Sequence, residues 1–68
     1  MSSRYLSILG GRIRSRRERL SFTQRELARR AQVHVNVVGR LERGVYNPTV
    51  LKLLAISGAL KLPLRKLI

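Results

Sequence analysis

The sequence has no cysteine, a single histidine and only three acidic residues. Without cysteine there is no disulfide framework to staple a small fold, and no thiolate to hold a metal. One histidine and three carboxylates are poor material for a metal cluster or an acid/base pair, so the expectation is a binder that uses no cofactor and no metal rather than an enzyme. No apolar run approaches the roughly 18 residues of a membrane span. The start, Met1-Ser2-Ser3-Arg4, lacks a signal-peptide core followed by a small-residue cleavage site. The expectation is a soluble, cytoplasmic protein with no membrane partner.

Positive charge is what the chain has in excess. Fifteen Lys and Arg against three acids give a formal net charge of +12. Twelve of the fifteen are Arg, whose planar fork suits phosphate oxygens and guanine edges. Such a charge attracts a polyanion without saying which one. A cationic membrane-surface or RNA-binding peptide is one alternative; it predicts no ordered fold without its partner. With 68 residues there is room for a single domain, residues 1–68. A chain this short buries roughly 60% of its unfolded surface, so helix packing or a second copy must tighten it.

Apolar residues recur at helical spacing, no strand-like alternation is present, and turn signals divide the chain into four or five helices. The expected class is therefore all-α. The first helix begins between Arg4 and Gly10 and ends near Leu20, with Tyr5, Leu6, Leu9, Ile13 and Leu20 on one stripe. Gly10-Gly11 weakens it, at roughly 0.8–1 kcal/mol per glycine. Thr23-Gln24-Arg25-Glu26 is a capping box that opens the second helix, with Phe22 and Leu27 placed as a hydrophobic staple. Leu27, Ala28 and Ala31 form its inward stripe. After the turn Gln32-Val33-His34, a third helix runs from Val35 to Arg43 and stops at Gly44. Thr49 caps a fourth, apolar nearly all round, running to about Leu60. Pro63 leads into a last short helix, Leu64 to Ile68.

At 100° per residue, the third helix turns Val37, Val38 and Leu41 to the core. It presents Asn36, Gly39 and Arg43 outward, flanked by Val35 and Arg40, a face with no acid on it. These are base-reading residue types: Asn pairs bidentately with adenine, Arg with guanine, and Val meets a thymine methyl.

Three segments carry a family resemblance. Phe22-Thr23-Gln24-Arg25-Glu26-Leu27-Ala28, Val38-Gly39-Arg40-Leu41-Glu42-Arg43-Gly44, and Asn47-Pro48-Thr49 followed by Leu53 and Leu54 resemble, without a gap, the phage-repressor or Cro/XRE type of helix-turn-helix domain. The likeness covers Leu9 to Leu67. It implies a compact lambda-repressor-like fold of four to five helices, with the helix-turn-helix unit at about residues 23–43. It also implies a sequence-specific regulator of transcription on double-stranded DNA, its third helix in the major groove. The resemblance puts Val35, Asn36 and Arg40 at base contacts. It puts Gln24 on a phosphate at a helix N-terminus, with Arg25, His34, Arg43, Asn47, Arg12 and Arg14 as further phosphate candidates. His34 stands where the family prefers Ser or Thr as a cap.

The resemblance further implies a buried ion pair between Arg17 and Glu42. Structural roles are expected for Thr23, Glu26 and Thr49 as helix caps, and Glu18 reads as a surface charge. Arg16, Ser21, Ser57 and Lys61 stand where the family usually has an aliphatic residue, Gly, Ala and Gly. Members commonly dimerise through helix four and the residues after it, and the apolar fourth helix and Leu67-Ile68 suit a homodimer on a palindromic site. The alternative is the antitoxin of a toxin–antitoxin pair, whose apolar fourth helix covers a toxin protein while the same motif autoregulates.

Overall fold

Four side chains start four helices in the computed structural model, which describes residues 3–68. The Ser3 hydroxyl accepts from the Tyr5 amide (3.1 Å) and opens α1, Arg4–Arg19. Thr23 accepts from the Glu26 amide (3.0 Å) and opens α2, Gln24–Ala31. His34 Nδ1 accepts from the Asn36 amide (3.0 Å) and opens α3, Val35–Arg43. Thr49 accepts from the Lys52 amide (3.2 Å) and opens α4, Val50–Ala59. A 3₁₀ turn, Leu64–Lys66, follows. The fold is all-α, as read from the sequence, with the last short helix reduced to a single turn.

The helices also end alike. Each is followed by a left-handed residue: Ser21 (φ 59°), Gln32 (φ 58°), Gly44 (φ 74°) and Lys61 (φ 54°). The next residue in each case is apolar, and its amide bonds back over five residues, from Phe22 to Arg17, Val33 to Ala28, Val45 to Arg40 and Leu62 to Ser57. This is the Schellman ending, which satisfies the last carbonyls and tucks an apolar side chain against the helix. Only one of the four left-handed positions is glycine, and the other three bear a Cβ strain of about 1–2 kcal/mol each. Ser21 and Lys61 are two positions where the family usually has Gly.

The core is Leu9, Ile13, Leu27, Ala28, Ala31, Val38, Leu41, Ile56, Leu60 and Leu67. Three sequence expectations are corrected here. Tyr5 does not continue the inward stripe of α1; it is 84% exposed, and the stripe begins at half-buried Leu6. Leu67 is wholly buried and belongs to the core, so it is not available to a second copy; Ile68 beside it is exposed. Val37 is half-buried rather than central.

Gly10 has a use that helix propensity conceals. A Cβ there would collide with the Leu41 and Glu42 backbone oxygens, so α3 ends directly against α1. Gly44 makes the matching contact from the other side, where a Cβ would lie 2.9 Å from Ser7 Cα. The pair of glycines allows backbone to meet backbone between α1 and the end of α3 and thereby helps set the direction of α3.

Arg16, where the family usually has an aliphatic residue, is used at the end of α4. Its side chain is half-buried and its guanidinium caps the end of α4, donating to the Leu60 oxygen (3.0 Å) and the Lys61 oxygen (3.3 Å). Ser57 is buried and gives its hydroxyl to the Leu54 carbonyl (3.0 Å). Half of the expected capping box is absent: Glu26 turns its carboxylate toward Arg30 (3.5 Å), not back to the Thr23 amide. Arg30 in turn lies over the Phe22 ring, 4.4 Å from its centre.

Candidate nucleic-acid interface

Helices α2 and α3 are joined by the short turn through Gln32, whose left-handed conformation swings the chain sharply between them. The Val38 and Leu41 side of α3 is sealed in the core. Geometry then leaves Asn36, Arg40 and Arg43 outside and Val35 at the edge. These four, with Gln24 from α2 and Gly39, line one shallow depression. Helical spacing places Gly39 outward, but it is buried, and forms the floor beneath Arg43 and Gln24. No carboxylate lines the depression, whose chemistry is amide, guanidinium and one methyl-bearing side chain.

The one acid of α3 has been drawn inward. Glu42 Oε2 accepts from Arg17 Nε at 2.6 Å, and Oε1 accepts from Arg17 Nη2 at 3.0 Å. The two side chains are only 12% and 4% exposed. Arg17 Nη1 donates to the Phe22 carbonyl (2.7 Å), and Gln24 Nε2 donates to Glu42 Oε1 (3.0 Å). Bidentate pairing of this kind supplies orientation as well as energy. The hydrogen bond to Glu42 raises the Arg17 pKa above its ordinary value, against the lowering effect of burial, with Coulombic support from Glu42 and Glu18. Through this carboxylate α1, α2 and α3 are tied at one point, directly behind the outward face. The sequence signalled the Arg17–Glu42 partnership through the family pattern, but nothing in it signalled that Gln24 joins.

The remaining phosphate candidates are dispersed. Arg25 is exposed in the first turn of α2, His34 caps α3, and Asn47 is exposed in the loop before α4. Arg12 and Arg14 do not line the depression. Arg12 is occupied within the protein, donating to the Ile68 and Leu67 backbone oxygens (2.9 and 3.3 Å). Arg14 pairs with Glu18 at 3.3 Å on the open surface of α1.

The helix-turn-helix family model matches residues 13–67, most of the chain and all of this geometry. The chain belongs to the Cro/XRE-type helix-turn-helix family. As a member it is a DNA-binding transcriptional regulator. Solved structures of regulators in this family superimpose on it closely. The restriction-modification controller protein C.AhdI from Aeromonas hydrophila is 30% identical, with a TM-score of 0.90 over 93% of this chain and 96% of that one. The clp gene regulator ClgR from Corynebacterium glutamicum is 27% identical, with a TM-score of 0.90 over 98% of this chain and 71% of that one. A point mutant of the restriction-modification controller protein C.Esp1396I is 27% identical, with a TM-score of 0.86 over 91% of this chain and 78% of that one. No curated protein matches the chain by sequence. Among the described residues no helix is long and apolar enough to cross a membrane, and no cluster of three or more His, Cys, Asp or Glu side chains is placed to hold a metal.

Proposed function

We propose that this regulator recognises a specific duplex sequence as a homodimer, inserting α3 into the major groove of each half of a palindromic site. The observation that carries the reading is the division of α3: Asn36 and Arg40 stand exposed on an acid-free face, while Glu42 is turned inward and neutralised by Arg17. Asn36 is then the adenine reader, Arg40 the guanine reader, and Val35 the contact to a thymine methyl. Gln24, at the first position of α2, gives one Nε2–H to Glu42 and has a second to offer, beside the helix N-terminus, to one phosphate. Arg25, His34, Arg43 and Asn47 supply further phosphate contacts, which position the helix without reading sequence.

The homodimer rests on α4. Val50, Leu51 and Leu54 are 64%, 78% and 48% exposed, and Lys52 is the only charged residue of the helix. An apolar face of this kind is matched by a second copy of itself. Two α3 helices then meet half-sites about one helical turn, roughly 34 Å, apart. The protein acts by occupying DNA, without catalysis.

Selection of bound sequences from a random duplex pool tests the whole reading. The expected product is a motif with mirror symmetry. Its affinity falls with salt, with a log–log slope near −0.9 for each phosphate neutralised. A pool without enrichment, or a binding curve indifferent to salt, overturns the proposal. Co-purification of a small toxin seated on α4 in place of a second copy would transfer the α4 argument to the antitoxin reading.

A further inference from the structure

On the far side of α1 lies a second surface that DNA reading does not use. Gly10, Ile13 and Arg17 face α3 and the core. Arg12, Ser15 and Arg19 lie about half a turn round the helix from them. Between this side of α1 and the chain after Pro63 run two adjoining grooves that share Arg12. One is apolar, lined by Tyr5, Ile8 and Ile68 over a floor of Leu9 and Leu67. The other is basic, with Arg12, Arg16, Arg19 and Lys66 around Leu62. Tyr5 is 84% exposed, Ile68 66% and Ile8 46%, a large apolar exposure for so small a domain.

None of the three acids answers the cations here. Glu18 pairs with Arg14, Glu26 with Arg30 and Glu42 with Arg17. Arg16, Arg19 and Lys66 pair with none of the three, and Arg16 donates only to the Leu60 and Lys61 backbone oxygens, so their charge is left uncompensated. We infer that this double groove is a docking surface for an acidic amphipathic helix of a partner protein, its apolar stripe beside Tyr5 and Ile8 and its carboxylates on Arg19 and Lys66. The chemistry separates this occupant from the others. A second copy brings the same cations against these, and α4 offers it a nearly charge-free face instead. Duplex DNA matches the basic groove but leaves the apolar one unfilled, and a bilayer is flat where these grooves are concave. A helix with acidic and apolar edges satisfies both at once.

The test is amide NMR of the whole protein, alone and with selected duplex bound. The probe is a synthetic helical peptide of about 18 residues, with Glu along one face and Leu along the other. The peptide is expected to move the resonances of Tyr5, Ile8, Arg19 and Lys66 in both states while those of α3 report only the duplex. Arg19→Glu with Lys66→Glu should weaken it about tenfold or more, and a Lys-faced version of the peptide should bind that variant again. Ile8→Ser should weaken the original peptide with the thermal melt unchanged. Failure to bind, equal binding of a scrambled peptide, or tighter occupation of the same resonances by duplex or by phosphatidylglycerol vesicles overturns the inference. The α3 resonances test DNA binding in the same spectra, so the two readings fail separately.

Discussion

The junction of α1 with α3 and the outer face of α4 are built on opposite terms. At the junction two glycines bring backbone against backbone, and a bidentate ion pair closes the gap beside them. On α4, by contrast, Val50 and Leu51 stand largely in solvent and Leu54 is about half exposed. The first region uses its unusual residues to fix one helix direction, and the second leaves apolar surface uncovered. The proposed homodimer, which would hold two reading helices at a set spacing, would need both: a rigid mount for each α3 and a cohesive face between copies.

The largest expected effect lies at the junction. Arg17→Met strands Glu42 with Gln24 as its remaining partner, and the loss should be about 3–5 kcal/mol, read as a thermal midpoint lower by roughly 4–8 °C per kcal/mol. Adding Glu42→Leu should return most of it, because the stranded charge is then gone; a double variant as unstable as the single one would mean that the pair stabilises by direct attraction. Gly10→Ala comes next. Its methyl group meets the Leu41 and Glu42 carbonyls, and overpacking against backbone costs about 1–3 kcal/mol. A melt unaltered by that change would show that α3 can back away, and the junction would no longer be the rigid partner in the comparison.

On the other region, Leu51→Glu should abolish self-association in sedimentation with little change in the monomer's melt, since Leu51 is 78% exposed. An intact dimer in that variant would remove α4 from the interface. Arg40→Ala should cost about 1–3 kcal/mol of discrimination at one base pair, leave stability and dimerisation alone, and so separate reading from mounting. Smallest is Lys61→Gly, which relieves a left-handed Cβ at the end of α4. It should raise stability by about 0.5–1 kcal/mol, the strain removed less the added freedom of the unfolded chain.

Much of this is legible in the residues. Thr23 and Thr49 announce two helix starts, and the apolar periodicity of α3 leaves Asn36 and Arg40 outside once Val38 and Leu41 are placed inside. Periodicity misplaces Tyr5, and the apolar character of Leu67 alone suggests an interface, because neither reports how far the neighbouring elements extend to cover a side chain. Nothing beyond Pro63 covers Tyr5, while Leu67 is folded back into the core by a single 3₁₀ turn. Gly10 reads as a weakness in the sequence because propensity scales describe a helix alone.

Local chemistry therefore determined the helices, their caps and the polar character of the reading face, since those depend on residues within one or two turns of each other. What only the packed molecule decided is where long side chains come to rest. Arg12, Arg16 and Gln24 are equivalent to any other exposed polar residue until α3, α4 and the 3₁₀ turn bring oxygens within about 3 Å of them. A long flexible side chain has many rotamers of similar energy, and a partner distant in sequence selects one of them.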